Sequence, residues 1–229
     1  MATHKKDCSE ESADTLHRLN IGCGDRPTPG WTNYDNSLTL LLGKIPVLPS
    51  ILMRLGIVTS RQLGFIAIGR EWSIRYVDAA KRIPDDDCSV DRIYCCHMLE
   101  HLQRPEALRF LQECYRVLKP SGAIRVVVPD LKILASVYNA TGDADRFLES
   151  LYIFPESPVA VTGRIKNALF GLRLHLWMYD ADSLIKLLLE TGFKDPVSLP
   201  AGYTTISNLG AIDLNERSEE SLYVEAFKS

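Results

Sequence analysis

No C-x-x-C pair occurs in this chain, and its six cysteines (Cys8, Cys23, Cys88, Cys95, Cys96 and Cys114) form no secreted framework. Unpaired thiols of this kind fit the reducing cytoplasm. The opening "MATHKKDCSEES" lacks the apolar core of a signal peptide, which points to the same compartment. No run of the ~20 apolar residues that a spanning helix requires is present. There is also no internal repeat and no low-complexity tract. Positive charge is not in excess: 26 basic residues against 29 acidic ones give a net charge of −3. That balance excludes a generic nucleic-acid binder, so no nucleic-acid partner is expected. At 229 residues the chain can bury one α/β domain well, whereas two would be crowded.

What is present is an alternation of strand-like and helix-like segments. Residues 1–14 are polar and read as a flexible N-terminus, leaving 15–229 as a single domain. "TLHRLNIG" reads as a strand ending at Gly22, and "TNYD" as a second closing at Asp35. "SIRYVD" ends a third at Asp78, and "SVDRIYCCH" is a fourth. A helix is expected from Pro105, with Leu108, Leu111, Tyr115 and Leu118 on one face and "KPSG" as its stop. "AIRVVVPD" has the continuous apolar character of a strand buried on both faces. Asp180 can cap "ADSLIKLLLE", which Thr191-Gly192 terminates. "PVSLPAGY" and "SLYVEAF" form an expected antiparallel strand pair at the C-terminal end. This pattern predicts a mostly parallel sheet with helices on both faces. Two stretches, at about 37–72 and 153–179, read as insertions; from Ser37 to Gly69 the first contains no acid.

Sheets of this type bind ligands outside the carboxyl ends of their strands. Gly22, Cys23 and Gly24 form a tight turn after the first strand, where glycine permits close backbone approach to a ligand. Asp35 ends the second strand, where a carboxylate can accept hydrogen bonds from ribose hydroxyls. Asp78 and Ala79 follow the third strand, placed for an adenine amino group, and Cys96 ends the fourth. A dinucleotide fits poorly. The G-x-G-x-x-G pattern would need glycine where Pro27 stands, and Pro27, Pro29 and Gly30 leave little room for a phosphate-binding helix.

These residues resemble the class I S-adenosylmethionine-dependent methyltransferases. "LNIGCG" is similar to their first motif, and "YVDAAKRIPDDDCSVDRIYCCHMLEHL" to the segment from the third to the fourth. "ECYRVLKPSGAIRVVVPDL" resembles their fifth strand with its approach helix, and "HLWMYDADSLIKLLLETGF" their late helix. The closest resemblance is to a bacterial-type subgroup with a short first crossover, often associated with glycan pathways. It implies a Rossmann-like fold, S-adenosylmethionine as cofactor and methyl transfer to a hydroxyl of a small molecule or glycan precursor. Two departures stand out: the family usually has an acid at Asn20 and often a third glycine at Arg26.

"CCHMLEHL" admits more than one chemistry. His97, Glu100 and His101 spell H-x-x-E-H, the signature of an inverted zinc metallopeptidase, which needs the two histidines on a helix. The segment also resembles the E-x-x-E-H of some methyltransferases that hold a divalent metal near the acceptor hydroxyl. That resemblance implies His97, Glu100 and His101 as ligands, with His175 a further candidate by chain order. Without metal, His97 or His101 is a candidate general base. An early helix start would put His97 and His101 on one face. Lys44, Arg54 and Arg61 in the first insertion, with Arg164, Lys166, Arg173 and His175 in the second, suggest an acceptor with an anionic group. Peripheral contact with an anionic membrane is the other reading of those charges. A non-catalytic, cofactor-binding interaction subunit is the alternative from another functional class.

Overall fold

The computed structural model describes residues 16–153 and 174–229. The strand-like segments assemble into one seven-stranded sheet. It contains β1 (Arg18–Ile21), β2 (Thr32–Asp35), β3 (Arg75–Tyr76), β4 (Val90–Cys96), β5 (Leu118–Pro129), β6 (Lys194–Leu199) and β7 (Ser221–Phe227). The spatial order is β3-β2-β1-β4-β5-β7-β6. Strands β1 to β5 pair in parallel, and β7 runs antiparallel to both β5 and β6. This is the Rossmann-like sheet with an antiparallel C-terminal pair expected from the pattern. The winding reverses between β1 and β4, which places a crevice at their carboxyl ends. Register makes those ends level, since Ile21 pairs with both Tyr34 and Cys95.

One face of the sheet is covered by α4 (Arg104–Val117) and α7 (Ala181–Glu190). Pro105 in the first turn and a capping box between Gln103 and Glu106 begin α4. Its Phe110, Leu111, Cys114 and Val117, with Leu184, Leu187 and Leu188 of α7, pack on Ile93, Cys95, Val126 and Val224. Each large apolar side chain so buried contributes about 1.5–3 kcal/mol. Asp180 caps α7 through its side chain, accepting from the Ser183 N–H, and the helix runs to Glu190 as expected. The helix stop differs slightly from expectation. Leu118 is already extended, and "KPSG" itself begins β5, in a bulge that pairs Val90 with Leu118 but Arg92 with Ala123.

The opposite face meets loops. Trp31, Ile206 and Leu209 pack on Tyr94, Ala123, Val127 and Tyr223. No helix lies between β1 and β2. The intervening loop is pinned by Asn20, whose amide donates to Thr28 Oγ1 (3.0 Å), Asn33 Oδ1 (3.1 Å) and the Arg26 carbonyl (3.3 Å). A carboxylate at position 20 cannot make these donations, which accounts physically for the departure at Asn20. The first insertion forms α1 (Leu38–Leu42), α2 (Leu48–Arg54) and α3 (Ser60–Glu71). Leu40 of α1 joins Cys23 and Ile74 in a small core at this edge of the sheet. Two further helices, α5 (Leu131–Thr141) and α6 (Ala144–Ser150), follow β5 and were not expected from the pattern. Asp130 and Asp143 cap them, accepting from the Lys132 and Arg146 N–H groups. Residues 1–14 and the charges Arg164, Lys166 and Arg173 lie outside the described residues. Among the described residues, no helix is long and apolar enough to cross a membrane.

Candidate active site

The glycine turn follows β1 directly. Gly22 and Gly24 both have positive φ (74° and 53°), a backbone state costly for side-chain-bearing residues. A Cβ at Gly22 would lie 2.6 Å from Met98 Cγ, so this glycine also admits the segment arriving from β4. A Cβ at Gly24 would meet nothing within 4 Å, so the turn is open on that side, where a ligand can approach. Asp35, buried at the end of β2, accepts from the Gly24 N–H (3.0 Å) and the Ser37 N–H (2.7 Å). Strand end and turn are thereby locked to each other. The Asp35 carbonyl accepts from the Val77 N–H (3.0 Å), which brings the third strand end alongside. There Asp78 pairs with Lys81 (2.9 Å), and Ala79 is buried. Cys96 is half-buried, and burial followed by nearby Glu216 pushes its thiol up, so it stays protonated at neutral pH.

The turn Leu99–His101 is a single 3₁₀ turn, and α4 begins only at Arg104. His97 and His101 therefore do not share a helix face, contrary to the early-start expectation, and the helix needed by the peptidase reading is absent here. His97 instead sits at the strand end with φ 48°. Its Nε2 lies 2.8 Å from Ser221 Oγ, while its Nδ1 faces both the Arg217 guanidinium (3.1 Å) and Glu100 Oε1 (3.4 Å). When Arg217 donates to Nδ1, the proton is on Nε2 and is directed to Ser221.

Glu100 is 1% exposed, and neither carboxylate oxygen has a hydrogen-bond partner among the described residues. Its backbone carbonyl accepts from the Leu176 (2.7 Å) and Trp177 (3.2 Å) N–H groups, which draws residues 174–179 across the end of the sheet. That segment is held further on by a parallel bridge between Asp130 and Tyr179. Arg104 also lies over the Trp177 and Tyr179 rings, 5.8 and 5.9 Å from their centroids. The result places His175 Nε2 4.0 Å from Glu100 Oε1, with the His175 and His101 ring centroids 5.2 Å apart. One ligand atom from each of Glu100, His101 and His175 falls within 4.8 Å of the others, close enough to share a cation. The Leu174 carbonyl can only accept, so His101 Nδ1 carries the proton (2.9 Å) and Nε2 keeps its lone pair. Burial, opposed by Glu100, holds the His175 imidazole below its ordinary value, so His175 is neutral at neutral pH. His97 stands beside Glu100 but not within this group of three.

Sequence reading missed the loop before β7. Glu216 accepts from Tyr94 (2.7 Å) and pairs with Arg26 of the glycine turn (3.0 Å), while Arg217 and Ser221 hold His97. The departure at Arg26 thus has a partner more than 180 residues away, and no local signal could reveal it.

Residues 65–126, from α3 through most of β5, match the family model described as a methyltransferase domain. Of solved structures, an S-adenosylmethionine-dependent methyltransferase from Thermotoga maritima, described as a possible histamine N-methyltransferase, is 16% identical with a TM-score of 0.52. That likeness covers 93% of this chain and 82% of the other. A methyltransferase from Archaeoglobus fulgidus is 18% identical with a TM-score of 0.49, covering 93% and 86%. The chain has the fold of an S-adenosylmethionine-dependent methyltransferase. No curated protein matches the chain significantly. The glycine turn, Asp35 and Asp78 stand at the carboxyl ends of neighbouring strands, and the methyltransferase-domain match supports an enzyme of this class.

Proposed function

We propose that the protein transfers the methyl group of S-adenosylmethionine to a hydroxyl of a small-molecule or glycan-type acceptor. The observation that carries this reading is the buried Glu100 carboxylate, without a hydrogen-bond partner among the described residues, facing the His101 and His175 imidazoles at the mouth of a methyltransferase crevice. On the cofactor side, Asp35 is placed to accept from ribose hydroxyls, with Asp78 and Ala79 beside the adenine. Gly22, Cys23 and Gly24 pass beneath the ribose and methionine portion, bordered by Cys96. The open approach at Gly24 fits such a ligand. When bound, S-adenosylmethionine supplies a sulfonium methyl that is already electrophilic, so the chain has chiefly to orient the acceptor and exclude water.

On the acceptor side, Glu100, His101 and His175 would hold a divalent metal, with His97 orienting Glu100. A nitrogen-rich set of this kind suits Mn, Fe, Ni or Zn better than Mg, and such an ion would lower the pKa of a bound hydroxyl. Without an ion, the His101 Nε2 lone pair is the base placed to take the hydroxyl proton. An anionic group on the acceptor would find Arg217 beside His97.

Calorimetry with S-adenosylhomocysteine, followed by transfer of labelled methyl to a panel of hydroxyl compounds, tests this reading. Micromolar or tighter cofactor affinity, with label appearing as an ether, is expected. Absence of cofactor affinity rejects the whole reading. Label appearing only on nitrogen or carbon rejects the hydroxyl. Full activity in chelator, with His101→Ala inactive, replaces the metal by a base.

A further inference from the structure

Helix α2 carries a second apolar face that is exposed to water. Ile51 and Leu55, four residues apart and therefore on one face, are 48% and 67% exposed, and Val47, one turn earlier, is 68% exposed. Ile45 and Met53 are exposed as well, while Pro49 faces inward. An amphipathic helix on a globular protein normally buries its apolar stripe and presents charge to water. Here Leu48, Pro49 and Leu52 supply the inward face, while Ile51 and Met53 project outward as well.

The surrounding charge is one-sided. From Asn36 to Arg70 the chain contains no acid, although the whole sequence has 29 acids and a net negative charge. The same span holds Lys44, Arg54 and Arg61, all exposed and, among the described residues, without an ion-pair partner. Lys44 precedes the exposed apolar run, Arg54 lies within it and Arg61 follows it. The fourth basic residue, Arg70, is used internally, donating to the Gly43 carbonyl. A protein partner would also cover apolar residues, but the exclusively positive charge of this segment matches a surface that is uniformly negative and apolar beneath. An anionic lipid bilayer has that chemistry.

We infer that the 44–61 surface docks on anionic membrane, with Val47, Ile51 and Leu55 entering the headgroup boundary and Lys44, Arg54 and Arg61 contacting lipid phosphates. The docking surface connects to the cofactor turn through packing. α2 lies against α3, Gly69 of α3 abuts Leu40 of α1, and Leu40 packs with Cys23. Docking therefore holds the crevice at the membrane, whichever acceptor is used.

Sedimentation of the full-length protein with vesicles tests this directly. One set contains phosphatidylcholine alone, the other about one-third phosphatidylglycerol. Binding to the anionic vesicles is expected, with little to the neutral ones and a marked loss between about 0.1 and 0.5 M salt. The variant K44Q/R54Q/R61Q should bind about 100-fold more weakly. The variant I51E/L55E should lose at least about 10-fold. Both should keep wild-type affinity for S-adenosylhomocysteine, which shows that they are folded. Equal binding to both vesicles, no binding to either, or full binding by I51E/L55E overturns the inference. Light scattering that shows a dimer abolished by I51E/L55E, without vesicle binding, assigns the surface to a second copy instead.

Discussion

Two buried carboxylates, one within strand β7 and one just beyond the central strand β4, have opposite surroundings. Glu225, in β7, is fully buried and surrounded by donors: Arg125 (2.6 Å), Thr204 Oγ1 (2.6 Å), and the Thr205 N–H and hydroxyl (both 2.7 Å). Glu100 is equally buried and, among the described residues, accepts no hydrogen bond at either oxygen. A folded chain leaves a buried carboxylate without donors only at considerable cost. Glu225 shows that this protein provides donors where an acid serves the fold, since the Arg125–Glu225 pair anchors the 203–214 loop through the Tyr203 and Leu214 carbonyls. In the proposed function, a cation or an acceptor would take the place of those donors at Glu100.

The sharpest way to break that contrast is substitution at Glu100. Glu100→Gln keeps the shape and removes the charge, so methyl transfer should fall by ~100-fold or more. Thermal unfolding should meanwhile show no loss of stability, because an unpartnered buried charge has been removed. A large drop in melting temperature would place Glu100 with the structural acids. Glu225→Ala should do the opposite, costing about 3–5 kcal/mol by leaving Arg125 buried and unpaired. Denaturant unfolding of this variant, beside its cofactor affinity, checks that only stability responds.

At the glycine turn after β1, Gly22→Ala and Gly24→Ala form a matched pair. Both force a side chain into the left-handed region, for about 1–2 kcal/mol. Only Gly22→Ala also collides with Met98, which adds about 1–3 kcal/mol. Equal destabilisation in the two would show that the Met98 contact yields. Asp35→Ala should weaken S-adenosylhomocysteine binding by about 1.5–3 kcal/mol, and unchanged affinity in calorimetry would remove it from the site.

The smallest effect is a pH dependence. Burial raises the pKa of Glu225, but donation from Thr204, Thr205 and Arg125 outweighs it, leaving the carboxyl below its ordinary 4.5. A carboxyl lowered in the folded state stabilises fully above its unfolded pKa. That contribution is lost as pH falls from about 4.5 through the folded value. Wild type should therefore lose stability over this acid range, and Glu225→Gln should show a flatter profile.

The strand ends proposed to hold the cofactor were legible in position because their signals are local. Each of Gly22, Asp35 and Asp78 sits where a strand ends, and alternating strands and helices dictate a parallel sheet with its crevice there. The capped α4 and α7 were legible for the same reason, since their apolar spacing and caps lie within one helix length. The acceptor half depends on contacts between distant segments. His175 reaches Glu100 only because residues 174–179 are pulled over the strand ends, so chain order could name it but not place it. Arg217 and Ser221 carried no signal at all, being polar residues in or bordering a polar loop. Helices α5 and α6 were overlooked for another reason: neither contains a buried residue, so their apolar spacing lacks the core-facing stripe by which α4 declares itself.

Metal-dependent thermal unfolding of wild type and Glu100→Gln, each freed of metal by chelator and then titrated with Mn²⁺ or Zn²⁺, tests the central claim most directly. Metal should raise the melting temperature of wild type and leave Glu100→Gln unmoved, with metal-free Glu100→Gln at least as stable as metal-free wild type. Equal metal responses in both proteins, or no response in wild type together with a strongly destabilised Glu100→Gln, would contradict it.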